Sequence, residues 1–410
     1  MTAALSASRL RDDRDFRRYW WARVLSTAGS GVTLVALPVL VYRLTGSTVL
    51  TALVSALEAS AYVVFGLLSG ALSDRHDRRA IMVGADLLDA ALLASVPVAY
   101  WLGVLTVAHV MIVAFAGPAV AVFFDGANFG ALPVLVGRDR IAEANAYVFG
   151  AATAVEMVTP ALVGVGLAVV HPATLLAVDA LSFAASAAFV RAVSRLLHDG
   201  ERASAPFTAK GLLGEIGDGL RFLAGHGGVR TMTLVGTLQC MAGGAFVALD
   251  VVWCDTVLDI GTSGWRFGVV FSAWGVGGIL ADLALPRLLR RTTAARITLG
   301  ALPFSAVLGI LTPLAGAWLV GALGLFLWSC FYMLVVVNSI SYRQQVTPEH
   351  LLGRVNTAGR MLSWGVGWTF GAVAGGVLAH LVGVREAMVL MAGLGLVACV
   401  VAWTSSLRAV

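Results

Sequence analysis

Apolar residues along this chain gather into twelve long stretches, each closed by a charge, a proline or glycine, or an aromatic edge. They run approximately over residues 19–42, 48–72, 80–101, 107–129, 142–170, 172–193, 229–252, 265–288, 296–314, 317–341, 355–381 and 384–403. Stretches of about 20–25 apolar residues read as membrane-spanning helices, because hydrocarbon offers the backbone no water and a helix satisfies its own peptide groups. An even number of crossings returns both chain ends to one side. The longest hydrophilic stretch, residues 194–228, falls between the sixth and seventh helices. It predicts an amino-terminal six-helix bundle over residues 1–193, a linker over 194–228 and a carboxy-terminal six-helix bundle over 229–410. Internal matches support the division. Gly66, Arg75, Arg78 and Arg79 recur at a shift of 212 as Gly278, Arg287, Arg290 and Arg291, and Asn145 and Gly164 recur at 211 as Asn356 and Gly375. The expected fold class is all-α: a membrane protein with twelve transmembrane helices in two pseudo-symmetric six-helix bundles, with a cavity between them at mid-depth.

Composition sharpens this reading. Of 410 residues, 59% are hydrophobic and 12% charged, with 46 glycines and a mean hydropathy of +0.88. A soluble chain carries about 25% charged residues, so most of this surface must face lipid. Twelve spans then leave only short loops, which excludes a large extramembrane catalytic domain. The net charge of +5 is less informative than where the charges lie. The cations are arginines apart from Lys210, and they cluster at the ends of the apolar stretches, as expected of an orienting pattern and not of a nucleic-acid binder. Only Arg43, Arg266 and Arg385 fall on the side away from the termini, so the positive-inside rule puts both termini in the cytoplasm. Cys240, Cys254, Cys330 and Cys399 lie far apart and read as packing residues. The first eighteen residues are polar, and the apolar run after them is too long for a signal peptide and lacks a cleavage site.

Several chemistries are disfavoured. A phosphate-binding loop needs Gly-Lys-Ser/Thr, and Lys210 stands between Ala209 and Gly211. The seven histidines are scattered singly, with no His-Glu-x-x-His, and no Gly-x-Ser-x-Gly occurs. No enzyme, metal or cofactor is expected.

The second loop, Gly70-Ala-Leu-Ser-Asp74-Arg75-His-Asp-Arg78-Arg79, resembles the G-x-x-x-D-[RK]-x-G-R-[RK] loop of the major facilitator superfamily. Leu37-Pro38, Tyr42 through Ser47, Ala144-Asn145-Ala146, Val178 through Phe183 and Leu352 through Val355 resemble its macrolide-efflux-like drug exporters. Two positions depart from the pattern. Asp77 stands where the loop usually has glycine, and Thr159 replaces a glycine of the Thr159-Pro160-Ala-Leu-Val-Gly164 segment, which is similar to a fifth-helix antiporter motif. The resemblance implies a conformational latch of Gly70, Asp74, Arg75, Arg78 and Arg79, with Asp125 pairing Arg78 and Asp74 capping the eleventh helix. Asp179 is expected to make a structural hydrogen bond.

Ionisable groups inside spans are expensive, about 2.5–3.5 kcal/mol each at the bilayer centre, and so mark where chemistry is sought. Glu58 and Glu156 are the acids expected near the membrane centre, at about 15 Å depth by helical rise. Each is a proton-coupling candidate or, alternatively, a neutral acid bonded between helices. Asp250 is a third candidate, placed near the outer end of its helix where it is simply solvated in the alternative reading. Polar stripes at helical spacing give cavity candidates: Arg23, Thr27 and Ser30 in the first helix, Tyr62 beside Glu58, and Gln239 with Phe246 beside Asp250. Trp364 and Trp368 offer apolar and cation–π surface, or else packing.

The resemblance implies a secondary active transporter, a proton-coupled exporter of a lipophilic small molecule working by alternating access as a monomer in the cell inner membrane. Its expected partners are that substrate, protons and the lipid bilayer. Uptake by proton symport and a transport-inactive scaffold or sensor are the alternatives. A cysteine placed at Ser204 in intact cells is expected to resist a membrane-impermeant maleimide, and a phosphatase reporter after Arg408 to be inactive; labelling from outside would overturn the orientation.

Overall fold

The computed structural model describes residues 10–73, 76–195, 197 and 209–409. Six helices form the first half: α1 (Arg14–Thr45), α2 (Thr48–Ser73), α3 (Arg78–Trp101), α4 (Val107–Val136), α5 (Ile141–Val169) and α6 (Pro172–Arg191). A shorter helix, α7 (Ala209–Gly225), precedes α8 (Gly227–Thr256), α9 (Trp265–Leu289), α10 (Ala294–Leu311) and α11 (Trp318–Val346). The eleventh span is composite. It joins α12 (Glu349–Arg360), a π-helical segment over Met361–Gly367, and α13 (Trp368–Val382). The twelfth breaks at Gly393 into α14 (Val384–Ala392) and α15 (Leu394–Trp403). Among the described residues, twelve spans are long and apolar enough to cross a membrane.

Helix ends are set by local chemistry. The Asp13 side chain accepts from the Asp15 and Phe16 amides to start α1, and Gly46 closes it at a φ of 61°. Asp77, the departure from the loop pattern, accepts from the Arg79 amide at 2.9 Å and caps α3, so no glycine is required there. Burial and nearby Arg43 hold the His171 imidazole below its ordinary pKa. The neutral ring stacks on Tyr100 at 4.0 Å while its Nδ1 accepts from Ala173 at the start of α6. Several helices overrun the apolar stretches that predict them: α4 continues to Val136 and α1 begins at Arg14. Long polar side chains at helix ends can reach water while the backbone stays helical.

Packing repeats between the halves. In the first, α1 lies on α5 and α6, α2 on α4, and α3 on α4 and α6. In the second, α8 lies on α13, α14 and α15, α9 on α11, and α10 on α11 and α15. The same symmetry relates the two seams between the halves, α2 against α13 and α5 against α9. Exposed apolar side chains such as Leu102, Phe129, Val169 and Leu381 ring the outside, where lipid would cover them.

Both seams make close contacts at the end away from the termini. The Gly264 amide donates to the Gly164 carbonyl at 2.6 Å, and a Cβ on Gly164 would lie 2.6 Å from the Gly268 Cα. On the other seam, a Cβ on Gly376 would lie 2.6 Å from the Ala52 Cβ. Polar bonds lock the same end, from Tyr42 Oη to Asp255 at 2.9 Å and from Arg43 Nε to Thr262 Oγ1 at 3.0 Å. These contacts tie the two halves together at that face.

The 194–228 stretch differs from the expectation of a plain hydrophilic linker. Its α7 docks on α12, with Leu223 buried against Val229, Val355 and Ala358, and Asp218 bonded to Arg354 at 2.9 Å. The amphipathic face of α7 is too short to stand out against twelve fully apolar spans.

Because Gly164 has no room for a side chain, Gly164→Val is expected to pry α5 from α9. In a background without reactive cysteines, a cysteine at Thr262 should then react faster with an impermeant maleimide than in the parent protein. Equal rates would show that this glycine contact does not hold the face shut.

Candidate functional site

Four elements converge where the two halves meet in the middle of the molecule. On α1, Arg23 and Thr27 are half-buried and Ser30 is exposed; on α2, Glu58 and Tyr62 are half-buried. The Tyr62 hydroxyl donates to Asp125 Oδ2 of α4 at 3.0 Å. From the other half, the Arg360 guanidinium lies 5.9 Å from the Tyr62 ring centroid, a cation–π contact that crosses the seam. Arg23 lies 5.2 Å over the Phe124 ring. Beside Arg360, Trp364 and Trp368 stack with centroids 5.4 Å apart, half-buried. Trp364 sits within the π-helical segment, a feature that recurs at functional sites because its extra residue per turn re-aims side chains. Thr369 reaches the Ala56 carbonyl at 3.5 Å to close the seam above. The result is a surface of aromatic faces, hydroxyls and two guanidiniums, suited to a molecule that is mostly apolar with a few polar groups.

Glu156 is exposed on α5, and Asp282 of α9 lies within electrostatic reach of it. Asp282 had no place in the sequence reading, although it lies inside the eighth apolar stretch and so carried the same signal as Glu58 and Glu156.

Three candidates are placed elsewhere. Gln239 is buried and donates to Ser305 Oγ at 2.8 Å inside the carboxy-terminal half, so it ties α8 to α10 and does not line a cavity. Phe246 is the hub of a packed aromatic cluster, 4.8 Å from Trp328 and 5.5 Å from Trp253. Asp250 is only 4% exposed, with the Cys254 thiol as its neighbour, so the alternative of a solvated Asp250 is not what the structure has. The stripe that joins these three is real but faces protein. Helical periodicity identifies a face without telling a cavity from a core.

The latch also differs from its expectation. Asp74 and Arg75 lie outside the described residues, and Gly70 falls within α2. Arg78 donates to the Gly130 carbonyl of α4 at 3.0 Å, and Arg79 to the Arg195 carbonyl. Asp125 lies more than a helical turn deeper than Gly130 and accepts from Tyr62, which makes it part of the central network. Asp179 does make structural bonds, accepting from Thr33 and from Ser182, the latter at 3.0 Å.

The sequence reading missed Asp86 and Asp89. Both lie on α3 and are 1% and 2% exposed, contrary to the expectation that Glu58 and Glu156 are the acids near the membrane centre. Their spacing of three places them on one helix face, and that was the available signal.

Comparison with known proteins agrees with this architecture. The sequence model of the transmembrane secretion effector family matches residues 6–410. The chain is 29% identical to macrolide efflux protein A of Streptococcus pyogenes over 223 residues, 54% of each, so it spans about half the length of that relative. It is 29% identical to the multidrug efflux pump Tap of Mycolicibacterium fortuitum over 382 residues, 89% of each. It is 26% identical to the enterobactin exporter EntS of Citrobacter koseri over 423 aligned residues, 96% of this chain and 92% of that one. Among solved structures, the nucleoside transporter NupG superposes with a TM-score of 0.72 at 12% identity, covering 95% of this chain and 98% of that one. A bacterial homologue of the iron transporter ferroportin, in an inward-facing state, gives 0.73 at 15% identity over 95% and 98%. The twelve spans, the paired seams and the family match together place this chain in the transmembrane secretion effector family of the major facilitator superfamily.

Proposed function

We propose that this protein is a secondary active exporter that moves a lipophilic small molecule out of the cell by alternating access, driven by protons. The observation that carries the reading is the seam-crossing network of Asp125, Tyr62 and Arg360 beside the Trp364–Trp368 stack, in a molecule whose halves are also tied together at the end away from the termini. Such a network makes and breaks as the halves rock, and the stacked indoles give an apolar molecule area without demanding directional bonds. The relatives are named for export of macrolides, of multiple drugs and of enterobactin, which supports outward transport of bulky natural products. The positive-inside pattern supports an inner-membrane setting with cytoplasmic termini. Glu58 stands one turn from Tyr62 on the same helix and is the coupling candidate nearest the network.

Expression in a host stripped of its own efflux pumps is expected to raise resistance to at least one lipophilic antibiotic in a panel that includes macrolides. Sensitisation would indicate uptake, and no change across the panel would favour a protein that does not transport. With a compound so identified, Glu58→Gln in inverted vesicles should reduce accumulation driven by a pH gradient to background while leaving exchange down a substrate gradient. Unchanged accumulation would remove Glu58 from coupling.

The Tyr62–Asp125 bond gives a sharper check. Tyr62→Phe and Asp125→Asn each are expected to lower export several-fold at normal abundance, and the double variant to be no worse than the poorer single, since all three lose one bond. Additive losses would show that the two side chains act separately.

A further inference from the structure

Inside the amino-terminal half, away from the seam, three acids from two helices come together. Asp86 and Asp89 of α3 and Asp179 of α6 are each at most 2% exposed. By helical rise, Asp86 and Asp89 lie about 12 and 17 Å from the start of α3 at Arg78, and Asp179 about 18 Å from the end of α6 at Arg191. The three occupy a narrow band near mid-membrane. Asp179 spends both carboxyl oxygens on Thr33 and Ser182. The other two do not: among the described residues Asp86 Oδ2 and Asp89 Oδ1 are buried with no hydrogen-bond partner. Ser186, fully buried on α6, has its hydroxyl beside the Asp86 carboxyl, within reach of a hydrogen bond to it.

The groups around the cluster are few. From α1, Arg23 is within electrostatic reach of Asp86, and its buried Nε has no partner. Tyr19, also on α1, bonds to Asn128 of α4. On α4, Asp125 is engaged by Tyr62, and His109 lies toward the other end of α3 with Ser95 at 2.7 Å. Gly117 leaves the α4 surface open beside Asp89, where a Cβ would stand 3.7 Å from Oδ1. One guanidinium, within electrostatic reach of Asp86, therefore stands near three buried carboxyls. Three carboxylates there would leave an uncompensated charge of minus two, which a hydrocarbon-like interior does not tolerate. The polar atoms left unpartnered are those that a bound proton would turn into donor and acceptor.

We propose that Asp86, Asp89, Asp179 and Ser186 form a proton-binding site within the amino-terminal half, and that Arg23 relays its charge state to the central network. In the proton-loaded state Asp86 is a neutral acid, and the Arg23 guanidinium rests over Phe124. When the Asp86 O–H bond breaks, the electron pair stays on the carboxylate and the proton passes to water entering between the helices. The carboxylate then draws Arg23 through its free Nε, moving on α1 the side chain that borders Thr27 and the seam. The inference rests on the proton-driven reading above and adds a second proton-binding group to the Glu58 candidate.

The test is an infrared titration of the full-length protein in liposomes, reading the carbonyl stretch of protonated carboxyl groups as pH is raised. The wild type is expected to show a band that fades with pH, and Asp86→Asn and Asp89→Asn each to remove part of it. Ser186→Ala, which spares the charges and should fold, is expected to shift the midpoint without removing intensity. Arg23→Gln should move it to higher pH, because the carboxylate form loses its counter-charge. A band unchanged in both aspartate variants and in Ser186→Ala would overturn the site, as would a band lost only in Glu58→Gln or Glu156→Gln. The titration needs no transported compound, so the two failures are distinguishable. Export driven by protons with the band mapped to Glu58 would sink this site alone; a band mapped to Asp86 and Asp89, with export indifferent to a pH gradient, would sink the coupling reading alone.

Discussion

The membrane's inability to solvate a charge or a bare peptide group is the constraint from which the rest of this structure follows. It forces every crossing to be helical, because only a helix satisfies its own amides and carbonyls within one segment. It also decides where polar side chains go. Arg343 is 1% exposed and bonds to Asn356, Asn338 bonds to Thr298 and the Ala294 carbonyl, and Ser339 bonds to the Met232 carbonyl. Each such bond fastens one span to another, so polar groups that would be costly in lipid become the fixings between helices.

Within that constraint the two halves have diverged. Their helices pack in the same order, and the α5–α9 seam mirrors the α2–α13 seam. The amino-terminal half keeps acids and an arginine in its interior, whereas the carboxy-terminal half fills the corresponding space with Phe246, Trp253, Trp274, Trp328 and Tyr332 in mutual contact. The first half gathers several acids in one interior band, whereas the second surrounds its buried Asp250 and Arg343 with packed aromatic rings. Docking of α7 on α12 adds further mass to the second.

The spans and their pairing into halves were legible because length and apolarity are one-dimensional properties. What faces what is not one-dimensional. Gln239, Phe246 and Asp250 form a stripe of the same period as Arg23, Thr27 and Ser30, yet the first group is buried in a core and the second is half-buried or exposed. In a soluble helix the polar side marks solvent; in a membrane helix it marks protein, cavity or another polar helix alike. Asp125 stood out as an acid inside a span, but not its partner, since whether Tyr62 of α2 or Arg78 of α3 lies at its depth depends on how those helices tilt against α4. Asp86 and Asp89 were passed over because α3 begins with charged residues, and acids a few turns inside it read as a continuation of the polar end. The π-helical segment had no local cue, as it changes hydrogen-bond register without changing composition.

The aromatic body of the second half has an optical consequence. Of the chain's 11 tryptophans, only Trp20, Trp21 and Trp101 belong to the first six helices. Trp253 and Trp328 are at most 1% exposed and stand among other rings. Ultraviolet emission from this protein therefore reports chiefly on one half, with a blue-shifted component from indoles held away from water. Changes confined to the amino-terminal interior would pass almost unseen by intrinsic fluorescence, while anything stacked on Trp364 and Trp368 would register directly as quenching.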